Sequence, residues 1–286
     1  MSRFIQIFFF LLFLILACKS TDPISNDSPD PVNFPGAVQL TTEIEDIFPD
    51  WSPTGEKIAF ERRGNIYTLL VESGALFLMT EGHSPAWSLD GQYIAFVRDG
   101  EIYTVRDIPE RPVQKVTLGA MASRVSGLDW GTAGRIAYFQ PGDSLNSDRY
   151  LKIYSFYSNQ IHHVQHESLG YAELPDWSRG GSQLVFSSRS EGICIYDVKT
   201  EIVRSLVYWG NPGKPCFYSS VDSTFVIFVE NGYLYRINPD GTNRSILYGD
   251  DFYPGSMDYS FPTSRLTFSQ NGIWIMDFPP EEEQLI

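Results

Sequence analysis

The stretch Pro49-Asp50-Trp51-Ser52-Pro53-Thr54-Gly55 decides the fold, because it returns three times along the chain. The copies are Pro85-Ala86-Trp87-Ser88-Leu89-Asp90-Gly91, Leu128-Asp129-Trp130-Gly131 and Pro175-Asp176-Trp177-Ser178. Each copy precedes an apolar triplet and then an Ile-Tyr pair, as in Ile58-Ala59-Phe60 and Ile66-Tyr67. The tryptophans stand 36, 43 and 47 residues apart. A period of this size indicates an array of similar structural units.

Each unit reads as four short strands joined by tight turns. In the first unit, Ser52–Gly55, Gly64-Asn65 and Ser73-Gly74 separate four apolar runs. Proline and glycine suit reversals, because proline restricts φ and glycine tolerates positive φ. A four-stranded antiparallel meander repeated about every 40 residues is typical of a β-propeller. We therefore predict an all-β fold.

Two weaker copies extend the array to six units, beginning near residues 46, 84, 126, 173, 214 and 253. The fifth starts at Pro215-Cys216-Phe217-Tyr218 and the sixth at Pro254-Gly255-Ser256-Met257. In both, we expect about two extra residues between the first and second strands. The segment Ala37–Thr41 is predicted to complete the last unit and close the ring. Gln284-Leu285-Ile286 is the alternative, although Pro279-Pro280 is a poor lead into a strand.

These residues resemble the TolB-type propeller repeat, Pro-x-Trp-Ser-Pro-Asp-Gly followed by Ile-Ala-Phe and Ile-Tyr. The resemblance covers about residues 37 to 278 and implies a six-bladed propeller of four-stranded blades within residues 37–286. TolB carries an additional α/β domain before its propeller, for which we expect no room here. The resemblance therefore implies the propeller and does not imply the whole role of TolB.

The N-terminus reads as a secretory signal peptide over residues 1–17, with an apolar run from Phe4 to Ala17. Ile15-Leu16-Ala17-Cys18 resembles the bacterial lipobox, which implies lipidation of Cys18; an ordinary signal peptide with an incidental cysteine is the alternative. Residues 18–36 are polar and read as a disordered tether. By resemblance to diderm lipoproteins, Lys19 suits transport to the outer membrane. The sequence does not choose between its periplasmic and surface faces.

Composition restricts the partners. The formal net charge is −14, which disfavours nucleic acid and favours cationic ligands or basic protein patches. We expect a monomer that is anchored in the membrane by lipid and binds an envelope protein or peptide. Cys194 and Cys216 fall on strands that are not neighbours in a propeller, so two buried thiols are favoured over a disulfide.

The residue before each tryptophan of the repeat, and the corresponding residue of the two weaker copies, is the first candidate site, because first strands line a propeller's channel and side chains alternate. This predicts a ring of Asp50, Ala86, Asp129, Asp176, Cys216 and Gly255. Asp50, Asp129 and Asp176 suit Ca²⁺ or an ammonium group. The alternative is that each aspartate caps a turn or strand end in a repeated unit.

The second candidate site is a mouth formed by loops that lead into first strands or join second to third strands. Its named residues are Arg62, Arg63, Arg98, Arg189, Lys214 and Tyr253. The four arginines would form a basic rim for a carboxylate or an acidic peptide, and solvated loop charges are the alternative.

No catalytic motif is present: the chain has no Gly-x-Ser-x-Gly, His-Glu-x-x-His or Cys-x-x-Cys. The favoured function is therefore a non-catalytic binding module for a protein or peptide, with no cofactor. A glycan- or small-molecule-binding lipoprotein and a metal-dependent hydrolase or lyase that uses the channel carboxylates remain the alternatives.

Overall fold

A computed structural model describes residues 34–117, 119, 122, 127–142, 149–166, 169–208, 213–220, 223–249 and 251–279. The signal peptide, Cys18, Lys19 and Gln284–Ile286 lie outside the described residues. Within them, no helix is long and apolar enough to span a membrane.

The described residues form six antiparallel sheets of four strands each. Blade 1 contains β2 (Asp46–Trp51), β3 (Lys57–Arg62), β4 (Asn65–Leu70) and β5 (Leu76–Glu81). Blade 2 contains β6 (His83–Trp87), β7 (Tyr93–Arg98), β8 (Glu101–Arg106) and β9 (Val113–Lys115). Blade 3 contains β10 (Leu128–Gly131), a 3-10 turn (Thr132–Gly134), β11 (Arg135–Pro141), β12 (Arg149–Ser155) and β13 (Gln160–His163). Blade 4 contains β14 (Ala172–Trp177), β15 (Gln183–Ser188), β16 (Gly192–Asp197) and β17 (Ile202–Val207). Blade 5 contains β18 (Gly213–Ser219), β19 (Thr224–Glu230), β20 (Tyr233–Ile237) and β21 (Ser245–Tyr248). Blade 6 contains β22 (Met257–Ser260), β23 (Arg265–Ser269), β24 (Ile273–Asp277) and β1 (Ala37–Gln39).

The first strands form a closed ring, since each contacts the first strands of both neighbouring blades. The predicted all-β, six-bladed propeller is therefore confirmed. The ring is closed by β1, which pairs antiparallel with β24 from Ala37 opposite Met276 to Gln39 opposite Trp274. Thr41 Oγ1 accepts the Ile273 N–H at 2.9 Å and continues the junction. The N-terminal segment thus supplies the missing fourth strand, as predicted.

The propeller begins earlier than the sequence indicates. Phe34, which we assigned to the tether, is buried in blade 6. Its ring makes edge contacts with Phe252, Phe268 and Trp274 at centroid distances of 5.7, 5.1 and 5.0 Å. A lone aromatic in a polar segment carries no periodic signal, so only the tertiary fold shows that it belongs to the core.

The core lies between blades. Trp87 of blade 2 packs with Ala59 and Ile66 of blade 1, and Trp177 of blade 4 packs with Ala137 and Phe139 of blade 3. Burying a large apolar side chain contributes about 1.5–3 kcal/mol, so the repeated aromatic stabilises each junction. Cys194 and Cys216 are buried and unpaired, as expected.

The register of the sixth unit differs from the prediction. Asp258 pairs with Thr267, as Asp50 pairs with Ala59 and Asp176 with Val185. The sixth channel residue is therefore Asp258 and not Gly255. The expected longer gap is also wrong in blade 6, whereas blade 5 has it, because Cys216 pairs with Ile227.

Candidate functional site

A β-bulge places the channel residues. The pairing of β2 with β3 shifts between Ile47 and Asp50, and that of β14 with β15 shifts between Glu173 and Asp176. Phe48 and Leu174 stand in these bulges with positive φ values of 53° and 56°. Bulges re-aim the side chains that follow them, and here the aspartate lines the channel while the next aromatic ring lies against the neighbouring blade.

Four aspartates join neighbouring blades through backbone hydrogen bonds. Each Oδ2 accepts the N–H of the aromatic residue on the first strand of the next blade. The bonds are Trp87 to Asp50 at 2.6 Å, Trp177 to Asp129 at 2.5 Å, Phe217 to Asp176 at 2.6 Å and Trp51 to Asp258 at 2.6 Å. We name these four junctions the bridged junctions. The aspartate is thus a cap between blades and not a local turn cap.

The other two junctions, which we name unbridged, follow Ala86 in blade 2 and Cys216 in blade 5. Blades 2 and 5 lie opposite each other in a ring of six. At these junctions the N–H of the next aromatic turns back to its own aspartate: Tyr259 donates to Asp258 Oδ1 at 2.7 Å, and Trp130 donates to Asp129. The channel therefore carries two pairs of carboxylates, from blades 6 and 1 and from blades 3 and 4, separated by the two uncharged positions.

The protein surrounds these carboxylates deeply, yet each keeps part of its surface open to the channel. Burial raises the pKa of Asp129 to about 7 and that of Asp258 to about 6. Burial raises the pKa of Asp50 and Asp176 well above the usual value, and repulsion from the other carboxylates adds to it. No Lys, Arg or His of the described chain forms an ion pair with any of the four. The channel is thus an acidic site that lacks a resident cation among the described residues.

A cavity of about 590 Å³ opens above the carboxylates, at the end where first strands turn into second strands. We call this end the cavity face. Every blade contributes an aromatic residue from its first strand to the wall, and blade 6 adds Phe261; the six first-strand residues are Trp51, Trp87, Trp130, Trp177, Phe217 and Tyr259. The four aromatics at bridged junctions are buried, whereas Trp130 and Tyr259, at the unbridged ones, are partly exposed. Blades 3 and 6 are opposite in the ring, so these two rings belong to opposite walls.

Several polar atoms of the cavity wall lack a partner. Ser260 Oγ is buried with no hydrogen-bond partner among the described residues, although Ser260 lines the cavity. The indole Nε1 atoms of Trp51, Trp87 and Trp177 are likewise buried and unpaired within the described chain. A buried donor without an acceptor costs about 1–3 kcal/mol. The wall therefore favours a ligand that brings hydrogen-bond acceptors as well as apolar surface.

Arg179 is the single basic residue among those that line the cavity in the described structure. It follows Ser178 in blade 4, and its guanidinium lies 3.4 Å from the centre of the Phe261 ring of blade 6. The contact reaches past blade 5, so Arg179 partly covers one side of the cavity.

The opposite face is narrower. A space of only about 50 Å³ lies beneath the carboxylates, lined by Phe48, Leu174 and the prolines Pro49, Pro85, Pro175 and Pro215. The residues predicted to form the mouth lie at this end, because Arg62 is paired with Asp46 at the start of the first strand. The structure therefore opens its large cavity at the other end of the channel.

Two of the predicted rim arginines are engaged within the blades. Arg62 holds Asp46 through two bonds of 2.5 and 2.7 Å, and its guanidinium lies over Phe60. Arg98 donates to the Glu81 carbonyl at 2.6 Å and lies over Phe96. Their charges are partly satisfied, so these two arginines serve the blade structure.

The remaining predicted mouth residues are Arg63, Arg189, Tyr253 and Lys214. Arg63 bonds to Glu45 on the exposed surface, and Arg189 lies over Tyr171 in blade 4. Tyr253 is exposed in the loop before β22. Lys214 belongs to β18, and its side chain lies outside the described part. Of the four predicted arginines, the structure brings Arg63 and Arg98 together in one pocket of about 270 Å³, which Glu81 and Asp99 also line.

Among the described residues, no three His, Cys, Asp or Glu side chains are arranged to hold a metal ion. The channel carboxylates instead hold backbone N–H groups. The geometry therefore adds no support to the calcium hypothesis.

Two solved TolB structures have the same architecture as this chain. TolB from Acinetobacter baumannii shares 19% identity and a TM-score of 0.57, over 75% of this chain and 64% of that one. The chain has the fold of the TolB propellers. A putative TolB from Agrobacterium tumefaciens shares 18% identity and a TM-score of 0.63, over 85% of this chain and 97% of that one.

The same fold occurs in an oligogalacturonate lyase solved with manganese, at 12% identity and a TM-score of 0.57, over 81% of this chain and 74% of that one. No family model matches the chain, and no curated protein matches it. The similarity to TolB propellers therefore rests on the fold and on the sequence repeats.

Sequence reasoning missed Asp258, Tyr259 and Arg179. Asp258-Tyr259-Ser260 keeps the Asp-aromatic-Ser order, and Asp258 stands nine residues before its partner Thr267, as Asp50 stands nine before Ala59. This interval of nine residues is the sequence signal that identifies Asp258 as the channel residue. No sequence signal identifies Arg179, because its contact with Phe261 joins blades 4 and 6, which are distant along the chain.

Proposed function

We propose that this protein is a non-catalytic binding module of the bacterial cell envelope that holds a segment of a protein or peptide partner in the cavity. The supporting observation is the cavity wall, to which every blade contributes an aromatic side chain, with Trp130 and Tyr259 partly exposed on opposite sides. Aromatic side chains offer large contact area with little conformational entropy to lose. A volume of about 590 Å³ is suited to a few side chains and not to a whole domain.

The polar features favour a peptide over a purely apolar ligand. Peptide carbonyl groups are acceptors for unpaired donors such as the Ser260 hydroxyl, and the acidic floor favours a partner that is not itself acidic. A uronic-acid oligomer is a polyanion, and among the described residues the acidic floor offers no cation to pair with its carboxylates. The solved lyase structure therefore does not carry its substrate over to this chain.

The envelope location rests on the resemblance to TolB and on the N-terminal sequence. In this proposal Cys18 is lipidated and tethers the propeller to the membrane, which raises its local concentration near membrane partners. Palmitate labelling of the wild type and of Cys18→Ser tests the anchor. Labelling that persists in the variant would contradict it.

Selection from a library of displayed random 12-residue peptides tests the binding function. We expect peptides that bind the wild type and lose roughly 10- to 100-fold in affinity with Trp130→Ala or Tyr259→Ala. Tyr253→Ala is the matched control, because it removes an exposed aromatic from the opposite face. Binding that depends on Tyr253 and not on Trp130 would move the site to that face. Selection of no peptide, with saturable binding of an oligosaccharide, would replace the proposal with glycan recognition.

A further inference from the structure

The channel floor is built for a positive charge that the described chain does not supply. We propose that the partner's segment inserts a basic side chain, a guanidinium or ammonium group, which lies between Trp130 and Tyr259 and contacts the channel carboxylates. This inference rests on the proposed function and names the chemical group that the site recognises.

The charge balance is the first argument. Asp50, Asp129, Asp176 and Asp258 face one channel, and none has a basic partner in the described structure. Their Oδ2 atoms hold backbone N–H groups, while no hydrogen bond to Oδ1 of Asp50 or Asp176 is present among the described residues. Carboxylate oxygens that retain acceptor capacity in a deep channel favour a cationic donor.

The wall supplies the second argument. A cation is attracted to the faces of tryptophan and tyrosine, and the partly exposed rings of Trp130 and Tyr259 belong to opposite blades. The buried, unpartnered Ser260 hydroxyl lines the same cavity as Tyr259 and Asp258. Side-chain donors and acceptors are therefore both available to a polar group that enters from the cavity face.

The geometry distinguishes an organic cation from a metal ion. The described residues contain no cluster of three ligating side chains, since the two carboxylate pairs are separated by Ala86 and Cys216. A guanidinium has five N–H donors spread over a plane, so it can bond to carboxylates that do not converge on one point.

Binding of such a group is coupled to protons. The groups that face the floor are the four carboxylates, the Cys216 thiol, whose pKa burial raises, and Arg179 at the rim. Because burial raises the pKa values of all four carboxylates, an entering cation displaces protons from them, and its affinity rises with pH. Arg179 opposes the cation by like charge.

The probes are N-acetyl-arginine amide and N-acetyl-citrulline amide, which share shape and differ in charge. Titration of the full-length protein at pH 8, followed by tryptophan fluorescence, is expected to give roughly tenfold tighter binding of the arginine probe. Calorimetry at pH 6 in buffers of different ionisation enthalpy is expected to show proton release.

The deciding variant is Asp50→Asn/Asp176→Asn, since asparagine still accepts the bonds from Trp87 and Phe217 but carries no charge. We expect it to lose most of the preference for the arginine probe, because only Asp129 and Asp258 then remain to attract a cation. Asp197→Asn/Asp240→Asn changes the net charge by the same amount at exposed turns and is expected to bind like the wild type. Arg179→Ala is expected to tighten the arginine probe about threefold. Thermal melting of each variant checks its folding.

Equal affinity for the two probes in the wild type, or no binding of either, would overturn the inference. So would arginine-specific binding that Asp50→Asn/Asp176→Asn leaves intact. If selected peptides depend on Trp130 while the probes show no preference for charge, the proposed function stands and this inference fails. If no peptide binds, the proposed function itself fails.

Discussion

The bridged and unbridged junctions divide one repeated motif into two roles. At the bridged junctions, an aspartate accepts the N–H of the next aromatic, and that aromatic is buried. At the unbridged ones, alanine or cysteine replaces the aspartate, and the following Trp130 or Tyr259 stays partly exposed in the cavity. The same position of the repeat thus closes the ring in four places and offers a binding surface in two.

The largest expected effect separates Trp87 from Trp130. Trp87→Ala should lower the free energy of unfolding by about 3–5 kcal/mol, because it empties the packed junction between blades 1 and 2. Trp130→Ala should lower it by only about 1–2 kcal/mol, since that ring is partly exposed and stacks on Phe156. Urea unfolding measures both. Equal losses would show that the two kinds of junction do not differ in packing.

The bridging bonds themselves are tested by Asp129→Ala, which removes the acceptor of the Trp177 N–H. We expect a loss of about 1–3 kcal/mol in the free energy of unfolding at pH 5. Asp129→Asn keeps an acceptor and should lose less than about half of that. If alanine and asparagine behave alike, the hydrogen bond contributes little and the charge is what matters.

The pH dependence of stability tests the charge state of Asp129 at a bridged junction. A carboxyl group with a raised pKa binds more protons in the folded state than in the unfolded state, so it lowers stability as the pH rises from about 4 to its folded pKa. For Asp129 that folded pKa is about 7. The free energy of unfolding of Asp129→Asn relative to the wild type should therefore increase between pH 4 and pH 7. A constant or falling difference in urea titrations would contradict the pKa assignment.

The smallest expected effect comes from bridging an unbridged junction. Ala86→Asp places a carboxylate where the Trp130 N–H can donate to it, and it adds a fifth acidic group to the channel. The change in stability should be within about 1 kcal/mol at pH 5 and unfavourable at pH 8. Acrylamide quenching should report whether Trp130 becomes less exposed, with Trp130→Phe as the background. Unchanged quenching would show that an aspartate at this position does not by itself bury the aromatic ring that follows.

Sequence reasoning predicted the propeller because its signal is periodic. The Pro-Asp-Trp-Ser copies showed the blades, and Ala37–Thr41 without a blade of its own showed the closure. The alignment of the sixth unit is wrong because Met257 and Tyr259 stand where the first, second and fourth copies have proline and tryptophan. Phe34 was missed because its partners Phe252, Phe268 and Trp274 are more than 200 residues away along the chain.

The candidate site was predicted only in part. Alternation along the first strand predicts that Asp50, Asp129 and Asp176 face the channel, where the structure places them, yet it does not show that each accepts a backbone N–H of the next blade. The mouth predicted from the loops lies at the end of the channel opposite to the large cavity, because the composition of a loop does not reveal the volume of the space it encloses. The sequence predicts Arg62 and Arg98 as part of a basic rim. In the structure Arg62 bonds to Asp46, and Arg98 bonds to the Glu81 carbonyl.

The sequence by itself determined the number of blades, the strand order within each blade and the channel residue of five of the six blades, because each of these depends on local periodicity. Tertiary structure alone decided which aspartates bridge blades, which aromatics remain exposed and at which end the channel widens. Those properties depend on contacts between units that are distant along the chain and adjacent only in the closed ring, where blades 2 and 5, and blades 3 and 6, come to face each other.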